Sequence, residues 1–277
     1  MSKDTGKGIA KNTSVMFLQY VATWGSTFIL TLFLPRYLGP VEYGRIFLAT
    51  SVTFIFGMFV HYGGYYAIAK DVSRSPGDTA QIMVDAYAFR AVFALIACAA
   101  MMGFAFWMGY PSEVKILLLI FGISFLWLGG ITTLYACYQG HELMQYPSIA
   151  LIVDRGLVAV AAVIGLLLGG KATLMVIIGV SGNILNLLVL TRFSKRIIDR
   201  IPRVRWTDVV RQVKEGIPYF LFAIFGAVSF RIDSMVLAKL SPEEVLGWYG
   251  GGKRLIEALN FIPAIFSTAL YPVLSRL

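Results

Sequence analysis

Nine ionisable side chains lie inside long apolar stretches of this 277-residue sequence. They are Asp85, Arg90, Asp154, Arg155, Arg231, Asp233, Lys253, Arg254 and Glu257. A charged residue on a helix that crosses a bilayer usually faces the protein interior or a water-filled cavity, because exposure to acyl chains is costly. The sequence therefore predicts an internal polar site, and it gives no basis for naming a bond that is made or broken there.

Helical geometry separates the charges that have a partner on their own helix from those that do not. Asp154 and Arg155 are adjacent, about 100° apart around a helix, and Asp233 follows Arg231 by two residues, on nearly the opposite face. Arg90 has its nearest acid five residues away, which is also a poor spacing for a pair. These three arginines therefore need partners from other helices or from a ligand.

At the end of the last apolar stretch the spacing favours a local pair. Glu257 follows Arg254 by three residues and Lys253 by four, so we expect one of these two cations to be neutralised on its own helix.

The cations among the nine suit an anionic ligand. Guanidinium groups offer several donors in a planar fork that fits phosphate oxygens, and they stay charged at any relevant pH. We expect five cations to line a central cavity that binds an anionic headgroup: Arg90, Arg155, Arg231, Lys253 and Arg254. Four acids are candidates for ion coupling: Asp85, Asp154, Asp233 and Glu257. The alternative is that all nine residues form ion pairs between helices and fix the helix register.

Composition indicates what kind of elements must hold these residues. The chain is 58% apolar and only 14% charged, and its mean hydropathy is +0.74. A soluble domain carries about 25% charged residues, so most of this chain must contact lipid. Its net charge of +9 is concentrated between apolar runs, which indicates the positive-inside pattern and excludes a nucleic-acid surface. The two cysteines, Cys98 and Cys137, offer neither a disulfide framework nor a zinc site.

Apolar runs of about 20 residues predict transmembrane helices, because 1.5 Å per residue must cross roughly 30 Å of hydrocarbon. Eight such runs cover residues 13–34, 44–69, 80–109, 114–139, 147–169, 172–192, 216–239 and 243–273. The connectors between them are rich in Gly, Pro, Ser and Asp, which are turn formers. The predicted fold is an all-α polytopic membrane protein with about eight transmembrane helices.

A basic segment between the sixth and seventh runs divides the chain and orients it. Eight cations lie there: Arg192, Lys195, Arg196, Arg200, Arg203, Arg205, Arg211 and Lys214. With the N-terminus inside, fourteen Lys and Arg residues fall in inner segments and five in outer connectors. The positive-inside rule then predicts that the N-terminus and the basic segment are cytoplasmic. We predict a six-helix lobe over 1–191, a cytoplasmic linker over 192–215, and the first two helices of a second lobe over 216–277.

A short pattern recurs at the start of the predicted second lobe. LGPVEYG at 38–44 follows the first run, and LSPEEVLG at 240–247 follows the seventh. Each places a Pro, a Glu two residues later and a Gly within five residues of the Pro, in an outer turn before a long span. Two lobes that each have an even number of spans would form parallel repeats about an axis along the membrane normal. The alternative is that helix turns simply favour these residue types.

Several segments of the chain resemble those of a known family: the basic linker, the outer turns, RIDSMVLAKL at 231–240 and GWYGGGKRLIEALNFIPAIFSTALYPVLSRL at 247–277. They resemble polysaccharide and lipid-linked oligosaccharide flippases of the multidrug/oligosaccharidyl-lipid/polysaccharide exporter superfamily. The resemblance covers essentially the whole chain. Members usually have twelve or fourteen spans in two lobes, so it implies that this chain is truncated at its C-terminal side.

The resemblance implies a transporter rather than an enzyme. The expected cargo is a polyprenyl-pyrophosphate oligosaccharide for cell-surface polysaccharide, moved across the inner cell membrane by alternating access. Membrane lipids and glycan polymerases or glycosyltransferases are the expected partners, and no cofactor is expected. A near match to the phosphate-binding loop at 165–172 ends in Ala172, where a magnesium-binding Ser or Thr is required.

Three other functions stay open at this point. A cation-coupled drug exporter of the same superfamily would place unpaired carboxylates in its cleft. A membrane glycosyltransferase would use outer carboxylates, for which Glu42, Glu113, Glu243 and Glu244 are available. A truncated partner that does not transport is the third.

Overall fold

The computed structural model describes residues 3–62, 64–195, 197 and 202–259. Their regular structure is helical: α1 Lys3–His61, α2 Gly64–Arg74, a 3₁₀ turn Pro76–Asp78, α3 Thr79–Trp107, α4 Ser112–Gly140, α5 Gln145–Leu167, α6 Ala172–Ser194, α7 Trp206–Leu240 and α8 Glu243–Leu259. In this part of the chain, six helical segments are long and apolar enough to cross a membrane. The predicted all-α membrane fold is confirmed.

The first segment of these six holds two crossings, because α1 reverses direction at Gly39. Gly39 has a φ of 74° and a ψ of 170°, a conformation that glycine adopts without a steric penalty. Gln19 bonds to Ser148 at the start of α5, whereas Glu42 bonds to the backbone of Ala172 at the start of α6. The start of α5 and the start of α6 lie at opposite ends of the bundle, because α6 returns antiparallel to α5. The chain therefore crosses the bundle between Gln19 and Glu42.

The connector predicted between the first two spans is thus almost entirely helical. Pro40 directly follows Gly39, and a proline in the first turn of a helix loses no hydrogen bond. The second predicted span, 44–69, breaks at Tyr62, whose φ of 36° lies in the left-handed region, and α2 begins after the break. The eighth predicted span lies partly outside the described residues, which end at 259.

Contacts between connectors define two ends of the bundle, called here the turn end and the linker end. The turn end gathers Gly39–Arg45, the α3–α4 connector, the start of α6 and the start of α8. Arg45 lies at its centre, 2.9 Å from both Glu42 and Glu243 and 4.0 Å from Glu113. These connectors are the ones that the sequence predicts to be outer.

The linker end gathers the segments that the sequence predicts to be inner. The Thr79 hydroxyl bonds to His141 across the ends of α3 and α4, and Gln81 donates to the backbone of Arg203. A crevice of about 360 Å³ opens at this end between α2, α3 and α7. Its walls carry three arginines and five acids: Arg74, Arg205, Arg211, Asp71, Asp78, Asp85, Asp208 and Glu215.

Helix α8 packs closely against the second half of α1 through a glycine face. A methyl group at Gly247 would lie 2.9 Å from the Pro40 Cα, and one at Gly250 would lie 2.5 Å from the Phe47 ring. A methyl group at Gly44 would lie 2.9 Å from the backbone nitrogen of Gly247. The two repeated turns therefore touch each other, and their glycines permit the approach.

The main apolar core lies in the six-helix unit formed by α1 to α6, and Leu246 of α8 packs into it. Helix α7 contributes little to it, and large apolar side chains such as Phe222 and Phe225 are exposed along its length. Such side chains are suited to lipid in a membrane protein.

Candidate anion-binding cavity

A cavity of about 240 Å³ lies in the six-helix unit, lined by both halves of α1 and by α4, α5, α6 and one residue of α8. Two of the five predicted cations, Arg155 and Arg254, line it. Arg155 is ten residues into α5 from the linker end, and Arg254 is eleven residues into α8 from the turn end. At 1.5 Å per residue both lie about 15 Å from a surface, near the middle of the span.

Arg155 extends from α5 into the cavity with 43% of its side chain exposed. Its Nε lies 3.8 Å from Asp154 Oδ2, which is too long for a hydrogen bond. The adjacent positions explain the poor geometry, because neighbouring residues point in directions about 100° apart. The donors of Arg155 are thus left largely available to a ligand.

Arg254 reaches the same cavity from α8. Its Nη2 lies 3.5 Å from the Thr50 hydroxyl, which is a weak contact. In the described part of the chain, Arg254 has no carboxylate within ion-pair distance, since Glu257 is bonded elsewhere. Two guanidinium groups from different helices therefore face one space without a strong acid partner.

The rest of the lining is apolar with a few hydroxyl groups. Thr27, Thr31, Tyr43 and Thr50 contribute the hydroxyls, and the described lining residues include no acid. Drug-sized ligands occupy about 300–1,000 Å³, so this cavity accommodates a headgroup rather than a whole glycan. Positive charge and hydroxyl donors in a partly apolar wall favour a compact anion.

The other predicted cations of α7 and α8 are paired. Arg231 makes a two-pronged contact with Glu257 of α8, at 2.8 and 3.4 Å. Lys253 of α8 pairs with Asp233 of α7, which also accepts a hydrogen bond from Tyr249. The local pair expected within α8 is therefore absent. Glu257 bonds Arg231 instead, because the facing helix presents a fork that can use both carboxylate oxygens.

Arg90 lies apart from the cavity, within the six-helix unit. It is fully buried, with Nη1 donating to Thr133 at 2.8 Å and Nη2 near the His61 carbonyl at 3.5 Å. Among the described residues its Nε has no hydrogen-bond partner and no acid pairs with it. The absence of a side chain at Gly129 gives the arginine its room, since a methyl group there would lie 3.1 Å from the Arg90 Cβ.

The four predicted acids fall in three environments. Asp154 is buried beside the cavity, and Asp233 and Glu257 pair with α7–α8 cations as above. Asp85 lies at the linker end, where it accepts hydrogen bonds from Gln81 and, at 2.7 Å, from the backbone nitrogen of Arg205. Asp85 thereby holds the start of α7 against α3.

The hydroxyl groups of the cavity were not singled out by the sequence. Thr27 and Thr31 are four residues apart, so their spacing alone places both on one face of a helix. Thr50 and Tyr43 give no comparable signal, because they become neighbours of Thr27 and Thr31 only after α1 reverses at Gly39. No group of three or more potential metal ligands occurs in the described residues.

Comparison with known proteins gives one match. A family model described as "Polysaccharide biosynthesis protein" matches residues 9–277. No curated protein and no solved structure matches the chain.

Proposed function

The chain belongs to the polysaccharide biosynthesis protein family of membrane transporters, and from this premise we propose that it moves a lipid-linked glycan across the membrane. The cargo is an oligosaccharide joined to a polyprenyl diphosphate. The diphosphate binds in the cavity, the polyprenyl tail stays in lipid, and the two helical units rock to open the site to alternate sides.

The observation that carries this proposal is the pair of arginines in the cavity. Arg155 and Arg254 come from the two predicted lobes and face the same space. A diphosphate can accept hydrogen bonds from both guanidinium groups at once, whereas an uncharged sugar gains little binding energy from either. A site divided between two lobes also changes when the lobes move, which alternating access requires.

Electrostatics argue against a cation-coupled drug exporter. Such a transporter needs an unpaired carboxylate in contact with its cationic cargo. The described lining of the cavity has two cations and no acid, so it repels a cationic ligand.

The turn end gives little support to a glycosyltransferase. Three of its four carboxylates, on Glu42, Glu113 and Glu243, face Arg45. Carboxylates held around one arginine are poorly placed to activate a sugar hydroxyl or to bind a metal.

We place the protein in the inner cell membrane with its N-terminus and linker cytoplasmic, on the positive-inside count. In that orientation the cavity receives cargo made by cytoplasmic glycosyltransferases and delivers it to a polymerase on the outer side. Ion coupling through one of the four intramembrane acids is part of the same proposal, and Asp154 is the acid nearest to the cavity arginines.

The test is transport of a fluorescent polyprenyl-diphosphate glycan by purified protein in liposomes. We expect Arg155→Ala and Arg254→Ala each to lower the rate by about tenfold or more, since a charge-assisted hydrogen bond to a ligand contributes roughly 1.5–3 kcal/mol. Arg211→Ala is the matched control, because Arg211 lies at the linker end and pairs with Asp208 outside the cavity.

Quenching of the glycan on one leaflet reports the rate, and binding of a polyprenyl diphosphate reports affinity. Unchanged transport in both cavity variants would reject the arginine site. An equal loss in the Arg211→Ala control would show that the assay reports general damage.

A further inference from the structure

Asp154 is a buried carboxylate with an incomplete set of partners. It is 1% exposed and lies in the middle of α5. Its Oδ2 is 3.4 Å from Asn186 Nδ2 and 3.8 Å from Arg155 Nε, while its Oδ1 has no hydrogen-bond partner among the described residues. Gly182 of α6 lies directly against Oδ1, with no side chain between them.

An ionised carboxylate at such a site needs a counter-charge, because removal from water costs several kcal/mol. In the described surroundings, Arg155 on α5 is the only cation that faces Asp154. From α4 the titratable group is Tyr135, which reaches Asp154 through Asn186 at 3.0 Å. From α6 the facing groups, Asn186 and Gly182, are neutral. Arg155 is therefore the described positive charge that favours the ionised form of Asp154 against the cost of its burial.

Arg155 has a second role that competes with this one. Its guanidinium group also lines the cavity, where the proposed diphosphate binds. A bound diphosphate draws on the positive charge of Arg155 and places new negative charge close to Asp154. Both effects disfavour an ionised carboxylate there.

We propose that Asp154 and Arg155 form a proton-linked anion site, in which Asp154 takes up one proton when a diphosphate binds Arg155 and releases it when the diphosphate leaves. The proton comes from solvent, and the bond that forms is the O–H of the carboxyl group. This inference rests on the proposed function, because the anion is the diphosphate of the cargo.

Linkage fixes the direction of the pH effect. If binding is accompanied by proton uptake, then protons must strengthen binding by the same factor. The affinity for diphosphate therefore rises as pH falls, by up to roughly tenfold per pH unit while the proton is being taken up. At pH values where binding takes up no proton, the affinity for diphosphate is independent of pH.

The first experiment measures proton uptake with farnesyl diphosphate as the probe. Calorimetry of the full chain in buffers of different ionisation heat gives the number of protons taken up for each ligand bound. We expect about one proton more for the unchanged protein than for Asp154→Asn, whose remaining uptake and pH dependence are those of the diphosphate itself. Asp208→Asn, at the linker end, is the matched control and keeps the uptake. Equal uptake in the Asp154→Asn variant overturns the proposal.

The second experiment needs no cargo, so its failure is distinct from failure of the proposed function. Dicyclohexylcarbodiimide reacts with protonated carboxyl groups in apolar surroundings, and mass spectrometry locates the adduct. Arg155→Gln should raise labelling of Asp154 by roughly tenfold at neutral pH, because the cation that faces Asp154 in the described surroundings is lost. Arg211→Gln, the matched control, should leave labelling unchanged. Equal labelling with and without Arg155 overturns the proposal, whatever the cargo is.

Discussion

Arg90 and Arg155 are both arginines in the middle of apolar helices, and their surroundings give them different roles. Arg155 opens into the cavity, whereas Arg90 is enclosed and bonds to Thr133 and a backbone carbonyl. The Thr133 hydroxyl also donates to the Gly129 carbonyl at 2.7 Å, so it keeps a partner if the arginine is removed. Because no acid among the described residues pairs with Arg90, its burial costs stability.

We predict that Arg90→Met leaves diphosphate affinity unchanged and leaves the melting temperature unchanged or raises it by about 2–4 °C. Replacing a buried charge with an apolar side chain of similar length is often neutral or stabilising. Thermal unfolding in detergent and binding of farnesyl diphosphate are the two measurements.

Arg155→Met is the comparison variant, since it removes the same charge from the cavity. A strong loss of diphosphate affinity in the Arg90→Met variant would show that Arg90 contributes to ligand binding.

At this scale the sequence identified the charged residues that lie within apolar helices, but not which of them meet. The cost of charge in lipid is a property of one residue and its helix, so it can be read from hydropathy. Pairing of Arg231 with Glu257 and of Lys253 with Asp233 depends on how α7 faces α8. That orientation is set by tertiary packing, which helical spacing alone does not contain.

Helix α8 illustrates what decides packing between elements. Its sequence GWYGGGK has four glycines, and only some of them meet a neighbour. Gly247 and Gly250 face α1, whereas a methyl group at Gly251 or Gly252 would meet nothing within 4 Å. Gly247 and Gly250 therefore permit close approach of the helices, whereas Gly251 and Gly252 make no such contact.

We predict that Gly247→Ala destabilises the packing of α8 on α1 by about 1–3 kcal/mol, the usual cost of an extra methyl group in a filled contact. The new methyl group would clash with the Pro40 carbonyl. Gly251→Ala is the matched control, and we expect it to be neutral or slightly stabilising because alanine favours helix.

Unfolding in urea-containing detergent, followed by tryptophan fluorescence, measures both variants. Equal stability of the two variants would contradict the close contact between the repeated turns.

Most elements followed from the sequence, because long apolar runs and Gly/Pro connectors are local signals. The exception is α1, where a helical connector joins two predicted spans at Gly39. Hydropathy detects that a polar stretch interrupts the apolar runs, but it does not distinguish a loop from a helix that bends at one residue. The left-handed φ at Tyr62, which ends the second crossing, gives no sequence signal because tyrosine has no preference for that region.

Across the whole molecule, the two ends are closed to different degrees. At the turn end the repeated turns touch through Gly44 and Gly247, and Arg45 joins Glu42 and Glu113 of the first unit to Glu243 of α8. At the linker end the crevice opens between α2, α3 and α7, although Val209 of α7 packs in an apolar cluster with Val72 and Phe89 and Asp85 holds the start of α7.

We predict that Arg45→Gln and Glu243→Gln each increase access to the cavity from the turn end by about fivefold, the change in an equilibrium constant that corresponds to loss of roughly 1 kcal/mol. The reporter is Thr31→Cys, which lines the cavity, in a chain whose Cys98 and Cys137 are replaced by alanine. Labelling by a membrane-impermeant maleimide is measured in intact cells.

Glu244→Gln is the matched control for this prediction, because Glu244 is exposed in the same turn and makes no ion pair among the described residues. Labelling that rises equally in the control, or stays constant in all three variants, would show that Arg45 does not hold this end shut. High salt should increase labelling as Arg45→Gln and Glu243→Gln do, because it screens the ion pairs of Arg45, which are partly exposed.

The crevice at the linker end is also a site where an inhibitor could bind. Its walls present both signs of charge within one recess, so a rigid binder of mixed charge, such as a small antibody fragment, can match them. A fragment bound there would keep α3 and α7 at their present separation and, under the alternating access that we propose, would stop transport. In the orientation that we propose, such an inhibitor must be expressed inside the cell.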